Sequence, residues 1–255
     1  MLQVETIPAF KDNYIWAVGT PDTAARVVVD PGEAEPVLAA AQAGGWPVAA
    51  ILITHHHHDH TGGAAALADH FGAPVYGPRN ETIAAVTAPL GEGDPVDVAG
   101  LSFTVLETPG HTRGHLCYYG HGALFCGDTL FSAGCGRLFE GTAEQMWQSL
   151  ARLAELPTAT RVYCAHEYTL DNLAFARVVE PDNPAVLQRI EQVRALRDAG
   201  TPSVPSTLAE ELQTNPFLRS TDPRMAAIAG RRAGREVSPG AETFAVLRGW
   251  KDSID

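Results

Sequence analysis

Thr54-His55-His56-His57-His58-Asp59-His60 places five imidazoles and one carboxylate within seven positions of the chain. The run follows residues 49–53, an apolar segment with the composition of a buried strand. Neutral imidazole and carboxylate suit zinc, iron and manganese at neutral pH. If the chain stays extended past residue 53, alternate side chains share a face, so His55 and His57 point the same way. The stretch therefore predicts a metal site at the end of a strand rather than a polyhistidine tag, which would lie at a terminus.

Residues of ligand type also stand at the ends of three later strand-like segments. Each follows an apolar segment and a small residue, the position at which a scaffold presents chemistry. The seven candidate metal ligands are His55, His57, Asp59, His60, His111, Asp128 and His166. A chemically sensible division gives one ion His55, His57 and His111 and the other ion Asp59, His60 and His166, with Asp128 bridging both. Of the other histidines, we expect His56, His58 and His115 to orient ligands and His70 and His121 to lie on the surface.

Composition restricts the class of protein. The formal net charge is −12, with 18 Lys and Arg against 30 Asp and Glu, which disfavours nucleic acid as a partner. A small anionic substrate in a local basic pocket is still compatible with this charge. We find no apolar run of membrane-spanning length and no signal peptide, so we expect a cytoplasmic protein with no membrane partner. The four cysteines show no Cys-x-x-Cys spacing, and a nucleophilic role for Cys135 is disfavoured.

Residues 1–168 alternate short strands, glycine-rich turns and helices, a pattern typical of an α/β domain. The predicted strands cover residues 3–7, 14–18, 26–29, 49–53, 102–106, 116–119, 124–126 and 161–164. The predicted helices cover residues 33–43, 61–71 and 142–156. Thr142 and Gln145 form a capping-box pattern at the start of the last of these helices.

After residue 168 the pattern becomes mostly helical. Residues 185–199 carry an apolar stripe at helical spacing, and Thr207 with Glu210 predicts a second capping box. Asp222-Pro223 and Ser238-Pro239 each resemble a helix N-cap followed by proline, the second opening a final helix over residues 239–254. We therefore divide the chain into a metal-binding domain, residues 1–168, and a helical C-terminal domain, residues 169–255.

With these motifs the chain resembles the metallo-β-lactamase superfamily, whose signature is His-x-His-x-Asp-His after a strand, then a histidine, an aspartate and a last histidine. The resemblance implies a four-layer αββα sandwich of two mixed β-sheets with a small helical C-terminal domain. Within the superfamily the chain is most similar to the hydroxyacylglutathione hydrolases, also called glyoxalase II. The matching stretches are residues 54–63, 127–131, 134–141, 165–169, 205–208 and 247–252. The similarity spans essentially the whole chain.

The resemblance implies that basic and tyrosine side chains bind the glutathione part of the substrate, which makes the C-terminal domain the substrate-binding one. The matching positions here are Arg137, Tyr168, Arg248 and Lys251. Some members have Lys-Phe-Tyr at residues 137–139, so Phe139 offers its ring or backbone to the pocket and no hydroxyl. A glutathione thioester carries two carboxylates and one ammonium, which suits a basic pocket. On residue type alone, Arg248 and Lys251 are also compatible with a solvated helix face.

The implied reaction is hydrolysis of S-(2-hydroxyacyl)glutathione, such as S-D-lactoylglutathione, to D-lactate and glutathione, the second step of methylglyoxal detoxification. Two divalent ions, zinc first and iron or manganese as alternatives, lower the pKa of a bridging water, whose hydroxide attacks the thioester. The expected catalytic residues are the ligands His55, His57 and Asp128, together with Asp59, which also accepts a hydrogen bond from that hydroxide. The leaving thiol has an ordinary pKa of about 8.5, so no strong general acid is needed. We expect a monomer.

Two alternatives stay open on the sequence. A glutathione persulfide dioxygenase on the same fold uses a single iron and needs only one ligand set. A non-enzymatic metal-binding or redox-partner module would take up metal without thioester turnover, and it gives no role to the basic residues.

Overall fold

The computed structural model describes residues 2–254, so the predicted domain limits at residues 1 and 255 lie outside the described part of the chain. The fold contains two compact units. The first contains the chain up to Glu107 together with Thr112–Gly127, and the second contains Thr108–His111 together with the chain from Asp128 onward. The chain therefore passes from one unit to the other next to two of the predicted metal ligands, His111 and Asp128.

The first unit contains a mixed sheet and a run of antiparallel strands. Its strands are β1 (Gln3–Ala9), β2 (Asn13–Gly19), β3 (Arg26–Val29), β4 (Val48–Leu52), β5 (Val75–Pro78), β6 (Ala88–Leu90), β7 (Pro95–Val98), β8 (Leu101–Glu107), β9 (Leu116–Gly120) and β10 (Ala123–Gly127). Its helices are α1 (Ala34–Gly44), α2 (His58–Thr61) and α3 (Ala64–Phe71). Strands β1 to β6 form the sheet in chain order, antiparallel from β1 to β3 and parallel from β3 to β6. Strands β7 to β10 pair antiparallel with their chain neighbours.

The core of the first unit brings the ends of β3 and β4 to one edge of the sheet. Apolar side chains of β4 such as Ile51 pack with Val37 of α1 and Leu67 of α3, all of them buried. Because β3 and β4 are parallel neighbours, their carboxyl ends lie side by side. The residue after β3, Asp30, donates its backbone N–H to the carbonyl of Leu52 over 2.9 Å. The histidine-rich run after β4 therefore begins beside Asp30.

All the predicted strands are present, with ends within two residues of the predicted ends. Strands β5, β6 and β7 were not predicted, because Pro78, Pro89 and Pro95 within them resemble strand breakers. Strands β6 and β7 lie at sheet edges, and edge strands tolerate proline because an edge leaves some N–H positions unpaired.

The helix predicted over residues 61–71 is wrong at its start. The structure has two helices there, α2 and α3, with Gly62 and Gly63 between them. A Cβ on Gly62 would lie 2.6 Å from the carbonyl oxygen of Gly32, and one on Gly63 would lie 2.5 Å from the backbone nitrogen of Ala34. The segment after β3 therefore passes too close for side chains at these two positions, and this close approach interrupts the helix.

The second unit is mostly helical, as predicted for the C-terminal part of the chain. Its helices are α4 (Ala143–Ala154), α5 (Thr169–Val179), α6 (Pro184–Asp198), α7 (Leu208–Thr214), α8 (Pro223–Ala233) and α9 (Ala241–Asp252). Its strands are β11 (Leu130–Phe131), β12 (Gly134–Cys135), β13 (Arg161–Cys164) and β14 (Ser206–Thr207). Helix α9 packs against α4 and α8, and α5 packs against α6. No helix within residues 2–254 combines the length and the hydropathy that a membrane span requires.

Three of the four helix N-caps predicted in this unit are confirmed. Thr142 and Thr207 each form a complete capping box, and Asp222 accepts a hydrogen bond from the N–H of Arg224. The start predicted at Ser238 is wrong, since α9 begins after Gly240. Gly240 has a φ of 100° and donates its N–H to the carbonyl of Ser220, so the chain turns there before it becomes helical.

A buried carboxylate holds the short β11–β12 hairpin. Glu211 of α7 accepts hydrogen bonds from the N–H of Ala133, over 2.7 Å, and from the side-chain amide of Asn215, over 3.1 Å. The same Asn215 amide donates to the carbonyl oxygens of Phe131 and Gly134. Ala133 has a φ of 56°, an uncommon conformation for a residue with a Cβ. The hairpin backbone is thus fixed by side chains from α7 and its C-terminal end, and burial raises the pKa of Glu211.

We expect Glu211→Gln to lower the free energy of unfolding by roughly 1–3 kcal/mol, since the amide replaces one carboxyl oxygen by an NH2 group that cannot accept a hydrogen bond. Because the pKa of Glu211 is raised above its ordinary value of 4.5 in the folded state, its contribution is largest below that pH and is lost as the pH rises through the raised pKa. Urea unfolding of both proteins at several pH values measures this. A difference between them that is independent of pH would contradict the prediction.

Candidate metal centre

The first unit brings His55 and His57 together, as their spacing predicts. Strand β4 ends at Leu52, and the Nε2 atom of His55 lies 3.0 Å from the Nδ1 atom of His57. The other ring nitrogen of His55 lies 3.0 Å from the hydroxyl of Thr54. His55 is buried and His57 is half-buried. The pair therefore presents Nε2 of one ring and Nδ1 of the other to a common point, which suits a shared cation.

Asp59 and His60 lie on the helical turn α2, which carries the chain away from the strand. The Nε2 atom of His60 lies 3.4 Å from Oδ2 of Asp59. The side-chain amide of Asn13, on β2, donates to the same carboxylate oxygen over 3.0 Å. Asn13 therefore restrains the carboxylate of Asp59, and the turn aims Asp59 and His60 at one place.

Asp30 is a functional residue that the sequence reasoning missed. Its buried carboxylate accepts hydrogen bonds from the backbone N–H and the hydroxyl of Thr54, each over 2.7 Å. Its Oδ2 atom also lies 3.0 Å from Nδ1 of His60. Because Nδ1 of His60 contacts this carboxylate, Nε2 is the ring nitrogen that could bind a metal ion. A carboxylate hydrogen-bonded to one ring nitrogen raises the basicity of the other nitrogen as a metal ligand. The signal was available, because Asp30 is a ligand-type residue at the end of a strand, the feature that singled out His166.

In the second unit a carboxylate lies between two imidazoles. The Oδ2 atom of Asp128 lies 3.4 Å from Nε2 of His111, and its Oδ1 atom lies 3.3 Å from Nε2 of His166. All three residues are buried. Nδ1 of His111 lies 2.8 Å from the carbonyl oxygen of Arg137, so the Nε2 atom of His111 is directed towards the carboxylate. The three residues that the sequence places far apart therefore converge, and Asp128 offers one oxygen towards each histidine.

Gly136 is required for this arrangement. A Cβ at that position would lie 2.0 Å from the carbonyl oxygen of Asp128 and 3.0 Å from Nδ1 of His111. Any side chain would displace one of the two residues. This explains in physical terms why the stretch of residues 134–141 belongs to the motif around the site.

The remaining histidines agree in part with the expectations from sequence. His115 is buried and stacks on the ring of His55 with centroids 4.8 Å apart. His56 contacts the carboxylate of Glu81 over 3.2 Å. His58 and His70 are exposed. His121, in the β9–β10 turn, is exposed as expected, and its Nε2 atom accepts a hydrogen bond from the N–H of Ser102.

The donor sets in both units fit divalent metal ions. They consist of imidazole nitrogens and carboxylate oxygens, which suit zinc, iron and manganese. The chain therefore carries His/Asp clusters of the kind that hold divalent metals. Burial raises the pKa of Cys135 to about 11 and that of Cys164 to about 12, so both stay protonated at neutral pH. A protonated thiol is neither a good metal ligand nor a good nucleophile. The raised pKa therefore agrees with the expectation that Cys135 is not a nucleophile.

A pocket of about 670 Å³ in the second unit reaches His111 and Asp128. Its lining contains every residue that the sequence resemblance assigns to the substrate: Arg137, Phe139, Tyr168, Arg248 and Lys251. The ring of Tyr168 stacks on that of His166, with centroids 4.7 Å apart and planes inclined by 4°. Phe139 packs edge-on against His111 and is 64% exposed, so its ring stands at the pocket surface.

The two basic residues of α9 are buried and do not form a solvated helix face. Arg248 donates from Nη1 to the carbonyl oxygen of Cys135 over 3.0 Å, and from Nη2 to Asp252 over 2.8 Å. The Nζ atom of Lys251 lies 5.8 Å from the centre of the Phe175 ring. Both cations line the pocket, so this part of its wall carries positive charge.

Comparisons with known proteins agree with this site. Residues 11–166 match the family model of the metallo-β-lactamase superfamily, which confirms the predicted fold, and residues 167–254 match that of the hydroxyacylglutathione hydrolase C-terminus. A hydroxyacylglutathione hydrolase of Pseudomonas fluorescens is 53% identical to this chain over 255 residues, and the match covers the full length of both proteins. The crystal structure of ETHE1 from Myxococcus xanthus is 25% identical over all of both chains, with a TM-score of 0.68. A di-iron-bound form of TTHA1623 is 28% identical over 84% of this chain and 99% of its own, with a TM-score of 0.59.

We expect Asp30→Asn to reduce metal affinity by roughly 10–100-fold, because an amide orients Nδ1 of His60 less strongly than a carboxylate does. Competition with a chromophoric chelator measures the affinity. Asp69→Asn, an exposed aspartate of α3, is the matched control and should retain wild-type affinity. Equal affinities for all three proteins would show that Asp30 does not support the site.

Proposed function

This chain belongs to the hydroxyacylglutathione hydrolase family of the metallo-β-lactamase superfamily, and from that membership we propose that it hydrolyses S-(2-hydroxyacyl)glutathione thioesters. The products are a 2-hydroxy acid, D-lactate from S-D-lactoylglutathione, and free glutathione. The observation that carries the proposal is that this chain is 53% identical to a hydroxyacylglutathione hydrolase over the full length of both proteins. The buried cations of the pocket support it, since they suit an anionic thioester.

In this proposal seven residues would hold two divalent ions. One ion would take His55, His57 and His111, the other would take Asp59, His60 and His166, and Asp128 would be shared by both. Contacts within the first unit support their convergence. A Cβ on Gly127 would lie 2.3 Å from Oγ1 of Thr54, so the residue before Asp128 packs against the residue before His55. Zinc is the first choice of metal by ligand type, with iron or manganese as alternatives, and the di-iron-bound relative supports iron as one of them.

The protein's own groups bind and orient the reactants. When bound, two divalent ions would lower the pKa of a coordinated water molecule and would polarise the thioester carbonyl. Asp59, held by Asn13, accepts a hydrogen bond from the attacking water and so directs its lone pair at the carbonyl carbon. Asp128 positions His111 and His166 on either side of itself. The thiol that leaves has an ordinary pKa of about 8.5, so it departs as a thiolate without a general acid.

The second unit holds the glutathione part of the substrate. Its pocket reaches from the cations Arg137, Arg248 and Lys251 to His111 and Asp128. Binding of remote carboxylates therefore places the thioester at the metal ligands, which is how binding energy contributes to orientation. Phe139 stands in place of a tyrosine found in some members, and its ring contributes an apolar wall.

Three predictions from the sequence are made here as proposals: the domain boundary, the oligomeric state and the cellular location of the protein. We place a domain boundary after residue 168, and the two family models meet beside it, at residues 166 and 167. The first domain supplies the metal ligands and the pocket residues Arg137, Phe139 and Tyr168, and the second domain supplies Arg248 and Lys251. We also propose that the protein acts as a monomer in the cytoplasm.

A single-iron persulfide dioxygenase is the alternative reaction on this fold. It requires one ligand set, whereas this chain has donors for two ions, and the basic pocket belongs to a family of thioester hydrolases. One experiment separates the two reactions: loss of thioester absorbance from S-D-lactoylglutathione, oxygen consumption with glutathione persulfide, and elemental analysis are measured on the same sample. Thioester loss without oxygen consumption supports the hydrolase. Oxygen consumption without thioester loss would overturn it.

We expect His57→Ala to lower kcat/KM by at least about 100-fold, since an emptied ligand position weakens the ion that activates water. Elemental analysis of the same sample should show a reduced metal content. His70→Ala, which removes an exposed histidine of α3, is the matched control and should behave as wild type. Wild-type turnover by the His57 variant would exclude this residue from the metal site.

We expect Lys251→Ala to raise KM several-fold and to change kcat much less, because its charge binds substrate equally in the ground state and the transition state. Steady-state kinetics with S-D-lactoylglutathione measure both constants. Arg194→Ala, which removes an exposed cation of α6 outside the pocket, controls for the loss of one positive charge. An unchanged KM for the Lys251 variant would argue against the basic pocket as the glutathione site.

A further inference from the structure

The substrate pocket contains an acidic residue that the sequence reasoning did not assign. Besides Asp128, which we assign to the metal ions, the acid among the described lining residues is Asp171. Its side chain is exposed, and it lies in the first turn of α5. Arg137, Arg248 and Lys251 line the same pocket. A carboxylate among cations gives the pocket both signs of charge.

Asp171 shares a wall of the pocket with a positive charge. Tyr168, Asp171 and Phe175 follow one another at intervals of three and four residues, so they lie along one face of α5, and all three line the pocket. The ammonium of Lys251 lies 5.8 Å from the centre of the Phe175 ring. Phe175 therefore has an acidic residue one helical turn before it on α5 and the ammonium of Lys251 beside its ring.

A pocket lined by charges of both signs suits a free α-amino acid group. Such a group carries an ammonium and a carboxylate on one carbon, so an anion and a cation of the same pocket can each pair with one of its charges. Glutathione contains one such group, at its γ-glutamyl end, while its glycine end carries only a carboxylate. Three cations and one carboxylate thus complement the two carboxylates and the one ammonium of the substrate.

We propose that Asp171 binds the ammonium of the γ-glutamyl group and selects thioesters of glutathione over those whose amine is blocked. This inference rests on the proposed function, because it names a contact within that substrate site. The other role available to Asp171 is local: an acid in the first turn stabilises a helix by interacting with its dipole. That role changes the stability of α5 but does not distinguish a free amine from a blocked one.

Ligand binding separates these two roles without any turnover. Calorimetry would compare S-methylglutathione, a thioether that cannot be hydrolysed, with its N-acetyl derivative, using the metal-loaded protein. We expect wild type to bind the free amine about fivefold more tightly, the scale of a partly exposed ion pair. Asp171→Asn should bind both ligands equally, and Asp171→Glu should recover part of the preference. Asp198→Asn, which removes an exposed carboxylate of α6 outside the pocket, should retain the wild-type preference.

Two outcomes overturn the inference. One is a wild-type protein that does not distinguish the two ligands. The other is an Asp171→Asn protein that keeps the full preference, or that loses affinity for both ligands by the same factor. Turnover of S-D-lactoylglutathione by wild type, measured in parallel, tests the proposed function by itself, so the failure of one proposal can be told from the failure of the other.

Discussion

The hydrogen bonds that Asp30 accepts from Thr54 and His60 are the constraint on which the first half of the site depends. These hydrogen bonds join the ends of the parallel strands β3 and β4. They also occupy Nδ1 of His60 and leave Nε2 as the nitrogen that could bind a metal ion. A buried carboxylate of this kind is stable only because its oxygens are satisfied by donors from the segment that it holds. The imidazole of His60 is therefore oriented by the carboxylate at the sheet edge.

The second half of the site is built on a different principle. Asp128 lies between His111 and His166, and its backbone packs so closely against Gly136 that no side chain fits there. The β11–β12 hairpin on which this packing depends is held by the buried carboxylate of Glu211. A short hairpin has too few ladder hydrogen bonds to be stable by itself, so side chains from the C-terminal part supply the remaining partners.

Substrate recognition depends on how the C-terminal helices bury charge. Arg248 is fixed by a backbone carbonyl and by Asp252, and Lys251 lies over the Phe175 ring, so both cations are held in place before a ligand arrives. Preorganised charges lose little conformational entropy on binding, which favours affinity for an anionic thioester. With Asp171 among its lining residues, the pocket carries charge of both signs, which is the basis of the proposal that it binds both ends of glutathione.

The sequence alone determined the residue types of the candidate ligands, eight of the fourteen strands within residues 2–254, and the family, because those depend on local spacing and on short motifs. It missed strands β5, β6 and β7, which contain prolines, the two-residue strands, the break at Gly62, and the contacts of Asp30. These depend on which segments pack together, and a neighbouring backbone that leaves no room for a Cβ at Gly62 has no effect on local periodicity. Only the tertiary structure decided that the cations of α9 are buried and that His57 presents Nδ1 where His55 presents Nε2, because a ring's orientation is set by contacts from distant parts of the chain.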